Sequence, residues 1–153
     1  VIPEDIFDAV KQFMEQQIPF NHFLGMEVTH LGDGDARLEV PFRDEFIGDP
    51  FRPALHGGVI SALLDTCGGA AVFTTLQDVA ERASTVDLRV DYLRPGRKER
   101  LIAEAKVIRA GNKVAVVSLM AYHPGENDRP VATGIGVYDI KRVKNGSGQS
   151  FFR

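Results

Sequence analysis

The hydrophobic pattern changes period several times along the chain, and each change predicts an element. Ile6, Phe7, Val10, Phe13 and Met14 recur at helical spacing behind Pro3, with Glu4, Asp5 and Asp8 in the opening turns. That predicts a helix over 4–17, ended by Pro19. Phe20, His22, Phe23 and Leu24 read as an apolar connector, and 25–31 as a strand. Gly32-Asp33-Gly34 is a hairpin-type turn, beyond which Ala36, Leu38, Val40 and Phe42 alternate with Arg37, Glu39 and Pro41 as in a half-buried strand. Positions 43–55 show no period and hold Gly48, Pro50 and Pro53, which predicts a loop. The stretch 57–76 is apolar on every side and too long for a strand, so it reads as an enclosed helix. Four strand segments follow. In the first, Val86, Leu88, Val90 and Tyr92 alternate with Thr85, Asp87, Arg89 and Asp91; the others span 101–109, 113–122 and 129–141, each behind a Gly-containing turn.

The order is helix, two strands, long buried helix, four strands. Short antiparallel connections after one long helix imply an α+β architecture, a curved antiparallel sheet wrapped around that central helix. No repeat or linker divides the pattern, so a single domain over 1–142 is expected, N-terminal helix included, followed by a Gly/Ser-rich tail at 143–153 that is expected to be mobile.

Composition narrows the function classes. A chain of 153 residues with 44% apolar and 25% charged positions is ordinary for one globular domain. The net charge of −3 argues against a nucleic-acid platform, which needs a basic face, and leaves room for a local basic patch. Across 54–76 the one formal charge is Asp65, but Gly57, Gly58, Gly68 and Gly69 and the strands beyond favour a core helix over a membrane span. The acidic N-terminus does not read as a secretory leader. A single cysteine, Cys67, excludes an internal disulfide and suits a reducing, cytoplasmic setting; lying in an apolar run, it reads as a small buried hydrophobe. With no Gly-rich phosphate loop and no zinc-type Cys/His spacing, no metal or cofactor is expected.

The chemistry concentrates in 53–66, PALHGGVISALLDT. A helix that begins at Gly57-Gly58 lets a ligand approach its first N–H groups with no side chain between them. Those groups lack intrahelical partners and carry the positive end of the helix dipole, so they can polarise a carbonyl. Asp65 lies two turns on, and a carboxylate in an enclosed helix must be paired, protonated or reached by water. Eight residues of helix is about 12 Å, too far for Asp65 to serve its own Gly57, whereas a two-fold dimer with antiparallel helices would join them. Structural readings stand beside these: the glycines as an aid to close packing, Asp65 as a hydrogen-bond hub, and His56 as a buried imidazole that positions the loop. His22, His30 and His123 share no pattern and are assigned no role.

Leu55-His56-Gly57-Gly58 followed by Asp65 resembles the signature of hotdog thioesterases of the phenylacetate-degradation (PaaI-like) type. The strand 85–95 and the turn Arg109-Ala110-Gly111-Asn112-Lys113 are similar to theirs, and the likeness covers roughly 20–141. The resemblance implies the hotdog fold, side-by-side homodimers that pair into homotetramers, and hydrolysis of an acyl-CoA carrying a small aromatic or a short- to medium-chain acyl group. It makes Gly57 the backbone donor to the thioester oxygen, with Gly58 beside it. It makes the partner chain's Asp65 the nucleophile or the base for water, Thr85 the hydroxyl that helps place the water, and His56 the motif histidine. Two positions depart from the pattern. Pro50 stands where many members carry asparagine and Pro53 replaces a glycine, so the helper contact to the thioester or the water is either lost or provided by Asp49. Arg94, Arg97 and Lys98 after one strand, and Arg109 and Lys113 at a turn, are the candidate partners for CoA phosphates, where a guanidinium can donate two hydrogen bonds. The alternatives are a non-catalytic acyl-CoA-binding hotdog protein and a hotdog hydroxyacyl-thioester dehydratase.

Overall fold

A computed structural model describes residues 2–144 and Gln149. Helix α1 (Glu4–Gln12) gives way to a π turn (Phe13–Gln17) and then to α2 (Pro19–Leu24). Pro19 therefore opens a second helix rather than only ending the first. It sits at the first helical position, where its missing N–H would have had no partner anyway, and the apolar connector is helical. Strands β1 (Glu27–Leu31) and β2 (Asp35–Val40) form the first hairpin. The stretch expected to be a plain loop holds a 3-10 turn (Asp44–Phe46) and a small ribbon, β3 (Ile47–Asp49) with β4 (Ala54–Leu55). The long helix α3 (Gly57–Phe73) stops three residues short of the predicted end. There the Thr74 hydroxyl donates to Ala71 O and accepts from Gly34 N–H, tying the helix to the first hairpin. Strands β5 (Arg82–Tyr92), β6 (Leu101–Ala110), β7 (Val114–Tyr122) and β8 (Ala132–Lys141) follow. The predicted tail at 143–153 lies, beyond Lys144 and apart from Gln149, outside the described residues.

Among the described residues, six strands make one antiparallel sheet in the order β1-β2-β6-β7-β8-β5, which puts β1 and β5 at its edges. The sheet packs on α3 through β2, β5, β6, β7 and β8, giving the α+β hotdog arrangement expected. Small inward side chains, Ala103, Ala105, Ala115 and Ala121, let the strands approach Leu63, Leu64 and Ala71 of the helix, all of them buried. Cys67 is fully buried with its Sγ 3.4 Å from both Ala36 O and Ala103 O, and burial pushes its thiol up. Among the described residues, no helix is long and apolar enough to cross a membrane.

The two edges differ. Val28 on β1 is covered by α1 and its π turn: its N–H donates to Glu15 Oε1 (2.7 Å) and its carbonyl accepts from Lys11 Nζ (2.9 Å). On β5 the pairing with β8 shifts between Thr85 and Asp87, so Val86 is the extra residue of a bulge. The simple alternation predicted for this strand fails there. Leu88 and Val90 pack on the core, whereas Val86 is 63% exposed and Tyr92 54%. The bulge also resets the face of everything before it. An unbroken strand would point Thr85 away from the side taken by Leu88, but the inserted residue turns it back toward α3.

Candidate active site

The start of α3 is held by its own first residues and by the ribbon. His56 is the N-cap, and its Nδ1 accepts from Gly58 N–H at 2.8 Å, which puts the ring proton on Nε2. The His56 carbonyl accepts from Val59 N–H and Ile60 N–H, and its own N–H donates to Phe46 O. A Cβ on Gly48 would fall 2.7 Å from His56 Cα, so the ribbon packs directly against the motif. His56 does position the loop, but as an exposed side chain rather than the buried imidazole expected. Of the first helical N–H groups, Gly58's is occupied, while Gly57's has no acceptor among the described residues. Tyr92 closes over Gly57: its hydroxyl donates to Gly57 O at 3.1 Å, and a Cβ at 57 would meet its ring at 3.2 Å. One backbone donor is therefore left free at the positive end of a 17-residue helix.

Asp65 is half-buried, and one carboxylate oxygen is fixed from two sides. The Thr85 hydroxyl donates to Oδ1 at 2.7 Å, made possible by the β5 bulge. The Tyr138 hydroxyl, on β8, donates to Asp65 O at 2.8 Å and lies 3.3 Å from Oδ1. Burial, then the Asp65 charge, pushes the Tyr138 phenol far up, so it stays a donor. Oδ2 has no donor among the described residues. The carboxylate thus has one anchored and one free oxygen, as a nucleophile or general base requires.

Tyr138 was not among the residues singled out from the sequence. Its ring occupies space that two glycines leave open: a Cβ on Gly68 of α3 would lie 2.2 Å from its hydroxyl, and one on Gly136 would lie 2.7 Å from its ring. Glycines inside a strand mark close approach, and Gly134-Ile135-Gly136 two residues before the tyrosine was the available signal.

Asp65, Thr85 and Tyr138 line a cavity of about 620 Å³ whose opposite wall comes from α1, the π turn and the start of α2, including Val10, Phe13, Met14 and Ile18. Asn21, buried, donates from Nδ2 to Met14 O and so satisfies a carbonyl of the π turn. The N-terminal helix, read from sequence only as an amphipathic element, therefore walls the site.

The remaining candidates are not gathered at Asp65. Asp49 accepts from the N–H groups of Phe51 and Arg52, capping its own turn. Arg97 is paired with Glu99 and Glu126, and Arg94 Nε donates to Pro130 O. With exposed Lys98 they lie near the α3 N-terminus, where Gly96 O accepts from Leu55 N–H. Arg109 and exposed Lys113 flank the turn at the other end of the sheet, where Lys113 O accepts from Ile140 N–H. Within one chain, the two basic groups are separate, as are Gly57 and Asp65, eight residues apart along α3 or about 12 Å. No group of three or more His, Cys, Asp or Glu among the described residues could hold a metal ion.

Residues 53–128 match the family model described as Thioesterase superfamily. The medium/long-chain acyl-CoA thioesterase YigI of Escherichia coli K12 is 34% identical over 149 residues, covering 90% of this chain and 95% of the relative. A crystal structure from Shewanella oneidensis, described as related to the thioesterase superfamily, superimposes with a TM-score of 0.78 at 30% identity, covering 88% of this chain and 95% of the other. The phenylacetic acid degradation protein PaaI of Thermus thermophilus, in a single-residue variant, superimposes with a TM-score of 0.69 at 27% identity, covering 79% and 97%.

Proposed function

The chain belongs to the thioesterase superfamily, and from that premise we propose that it hydrolyses acyl-CoA thioesters through Asp65. The observation that carries this reading is the carboxylate itself. It is half-buried, anchored at Oδ1 by Thr85 and Tyr138, free at Oδ2, and exposed to a largely apolar cavity. The E. coli relative supports acyl-CoA as the substrate class, because its name states that activity.

The reaction is assembled from two chains. The thioester carbonyl docks on one protomer's Gly57 N–H, and Asp65 of the other attacks the carbonyl carbon or takes the proton of the water that does. Negative charge developing on the carbonyl oxygen is met by that N–H and the dipole behind it. The C–S bond then breaks and CoA leaves as its thiolate, a good leaving group since a thiol's ordinary pKa is about 8.5; where Asp65 itself attacked, a water then cleaves the acyl–aspartyl anhydride, releasing the acid and restoring the carboxylate. Support for the two-chain site comes from β5, an 11-residue edge strand with Val86 and Tyr92 exposed. Pairing β5 with its two-fold copy would set the α3 helices antiparallel and bring each Gly57 toward the other's Asp65. The same operation would bring Arg94 and Lys98 of one chain toward Arg109 and Lys113 of the next, forming a basic margin for CoA phosphates. His56 spends its Nδ1 on Gly58 N–H, which favours hydrolysis over a histidine-driven dehydration.

The test is Asp65→Asn, assayed by free-thiol release and by thermal melting. Turnover is expected to fall by two or more orders of magnitude with the melting temperature kept, because amide and carboxyl are isosteric. Wild-type turnover in that variant would remove Asp65 from the mechanism.

A further inference from the structure

Hydrolysing a thioester requires a carboxylate, a polarising N–H and a water, but no apolar chamber. The chamber beside Asp65 is nevertheless about 620 Å³, within the roughly 300–1,000 Å³ of small-molecule sites. One wall is a stripe of α3, Asp65, Gly69 and Phe73, each one turn from the next and together running about 12 Å. The facing wall is Phe13, Met14 and Ile18. That wall is fixed in place. Lys11 and Glu15 grip the backbone of Val28 on the β1 edge, and Asn21 ties off Met14 O.

We infer that this chamber seats the acyl tail, with Gly69 and Phe13 setting the chain length. The inference rests on the hydrolytic reading above and adds to it where the tail lies and what kind it is. A methylene fills roughly the ~30 Å³ that a water molecule takes in the liquid, so half of the chamber holds about ten carbons. The chamber therefore has room for a straight chain of about eight to twelve carbons, laid lengthwise along the stripe of α3. Gly69 leaves the room: a Cβ there meets only Tyr138 Cε1, at an ordinary 3.7 Å, so a larger side chain would grow into the chamber without disturbing the helix.

The experiment measures kcat/KM by thiol release for butanoyl-, octanoyl- and dodecanoyl-CoA with wild type, Gly69→Leu and Phe13→Ala. Each buried methylene is worth about a fourfold gain, so wild type should climb steeply from butanoyl to octanoyl. Gly69→Leu displaces about three methylenes, and its octanoyl-to-butanoyl ratio should fall about sixty-fold. Phe13→Ala, at a position 49% exposed where folding is safe, should flatten the climb several-fold. A second arm follows the melting temperature of wild type and Gly69→Leu with butanoic, octanoic and dodecanoic acids. Stabilisation should grow with length in wild type and not in the variant. Turnover with an unaltered length profile in both variants overturns the seat and leaves hydrolysis standing. Length-dependent stabilisation by the free acids, with no thiol released from any acyl-CoA, overturns hydrolysis and keeps the seat. Absence of both overturns both.

Discussion

Replacing the Tyr138 hydroxyl tests how Asp65 is held, and its size follows from the contacts. Tyr138→Phe removes one buried donor that serves Asp65 O at 2.8 Å and Oδ1 at 3.3 Å. The carbonyl lies inside α3, within reach of an N–H one turn on, and Oδ1 keeps Thr85, so neither acceptor is orphaned. The loss should be that of one net hydrogen bond, about 1 kcal/mol. Gly68→Ala perturbs the same spot from the helix side. Its methyl would fall 2.2 Å from the hydroxyl and 2.9 Å from the ring carbon bearing it, an overpacking cost of about 1–3 kcal/mol. The gain from alanine over glycine in a helix offsets about 1 kcal/mol of that. In the phenylalanine background the worst clash is gone, so Gly68→Ala should be close to neutral and the double variant more stable than the two single costs predict, by about 1 kcal/mol. Urea melts of all four proteins measure the coupling. Thiol release run alongside should show each single variant down about tenfold in kcat, equivalent to about 1.4 kcal/mol, with KM little changed. Additive melts would refute the idea that the hydroxyl fills the space left by Gly68. A wild-type kcat in Tyr138→Phe would refute its hold on Asp65.

Three further outcomes follow from the same contacts. Gly57→Pro should keep the fold, because position 57 is the first of α3, His56 before it is already extended (φ −62°, ψ 131°), and the exposed Tyr92 ring can shift to admit the new Cβ, yet it deletes the free N–H; kcat should fall about 10²–10³-fold with a small loss in melting that Gly57→Ala, which adds the Cβ but keeps the N–H, should share without the loss of kcat, and an active proline variant would exclude that donor. Val86→Lys, on the bare edge of β5, should give monomers in sedimentation and lose thiol release while the far-UV spectrum stays native; a fully active monomer would contradict a site shared between chains. Tyr122 is pushed up to about 12 by burial and by its hydrogen bond to Glu104. Its folded value lies above the ordinary ~10, so its contribution to stability is whole below pH ~10 and drains away as pH rises toward 12. Glu104 is pushed up by burial but held below the usual carboxylate range by Tyr122 and Arg37, so its contribution is whole above that range and is lost as pH falls through the lower folded value. Tyr122→Phe should weaken both the acid and the alkaline loss in urea melts across pH.

Much of this was readable in the chain, and the exceptions share a cause. The enclosed helix, the strand alternations and the glycine start of α3 are local patterns, and their period or composition identifies them. Pro19 was legible as the end of a helix, but that it also begins another depends on Ile18 and the packing behind it. What the sequence hid is whatever depends on two distant segments meeting. Thr85 reaches Asp65 only because Val86 is squeezed out of register against β8, and nothing in TVDLRVDY marks a bulge. Tyr138 becomes a positioning residue only because Gly68 and Gly136, 68 positions apart, leave room for its ring. The basic residues were legible as charges, but Arg97's commitment to Glu99 and Glu126 was not.

The two edges of the sheet are closed and open in ways that would let the N-terminal helix and, in the proposed two-chain site, a partner serve one carboxylate without competing. An exposed edge strand invites another strand, and proteins block or use such edges. On β1, Glu15 and Lys11 occupy the N–H and C=O of Val28 with side chains, which closes part of that edge to a strand and fixes the π turn beside the Asp65 cavity. On β5, 11 residues long, the bulge turns Val86 outward and leaves it 63% exposed. The same bulge turns Thr85 inward onto Asp65. One inserted residue therefore sets the carboxylate on the inside and prepares an apolar contact on the outside. An edit that straightened β5 would strike both at once, so under the proposed two-chain site loss of activity and loss of self-association should travel together there. At β1, by contrast, loosening the Glu15–Val28 contact should alter the cavity wall alone.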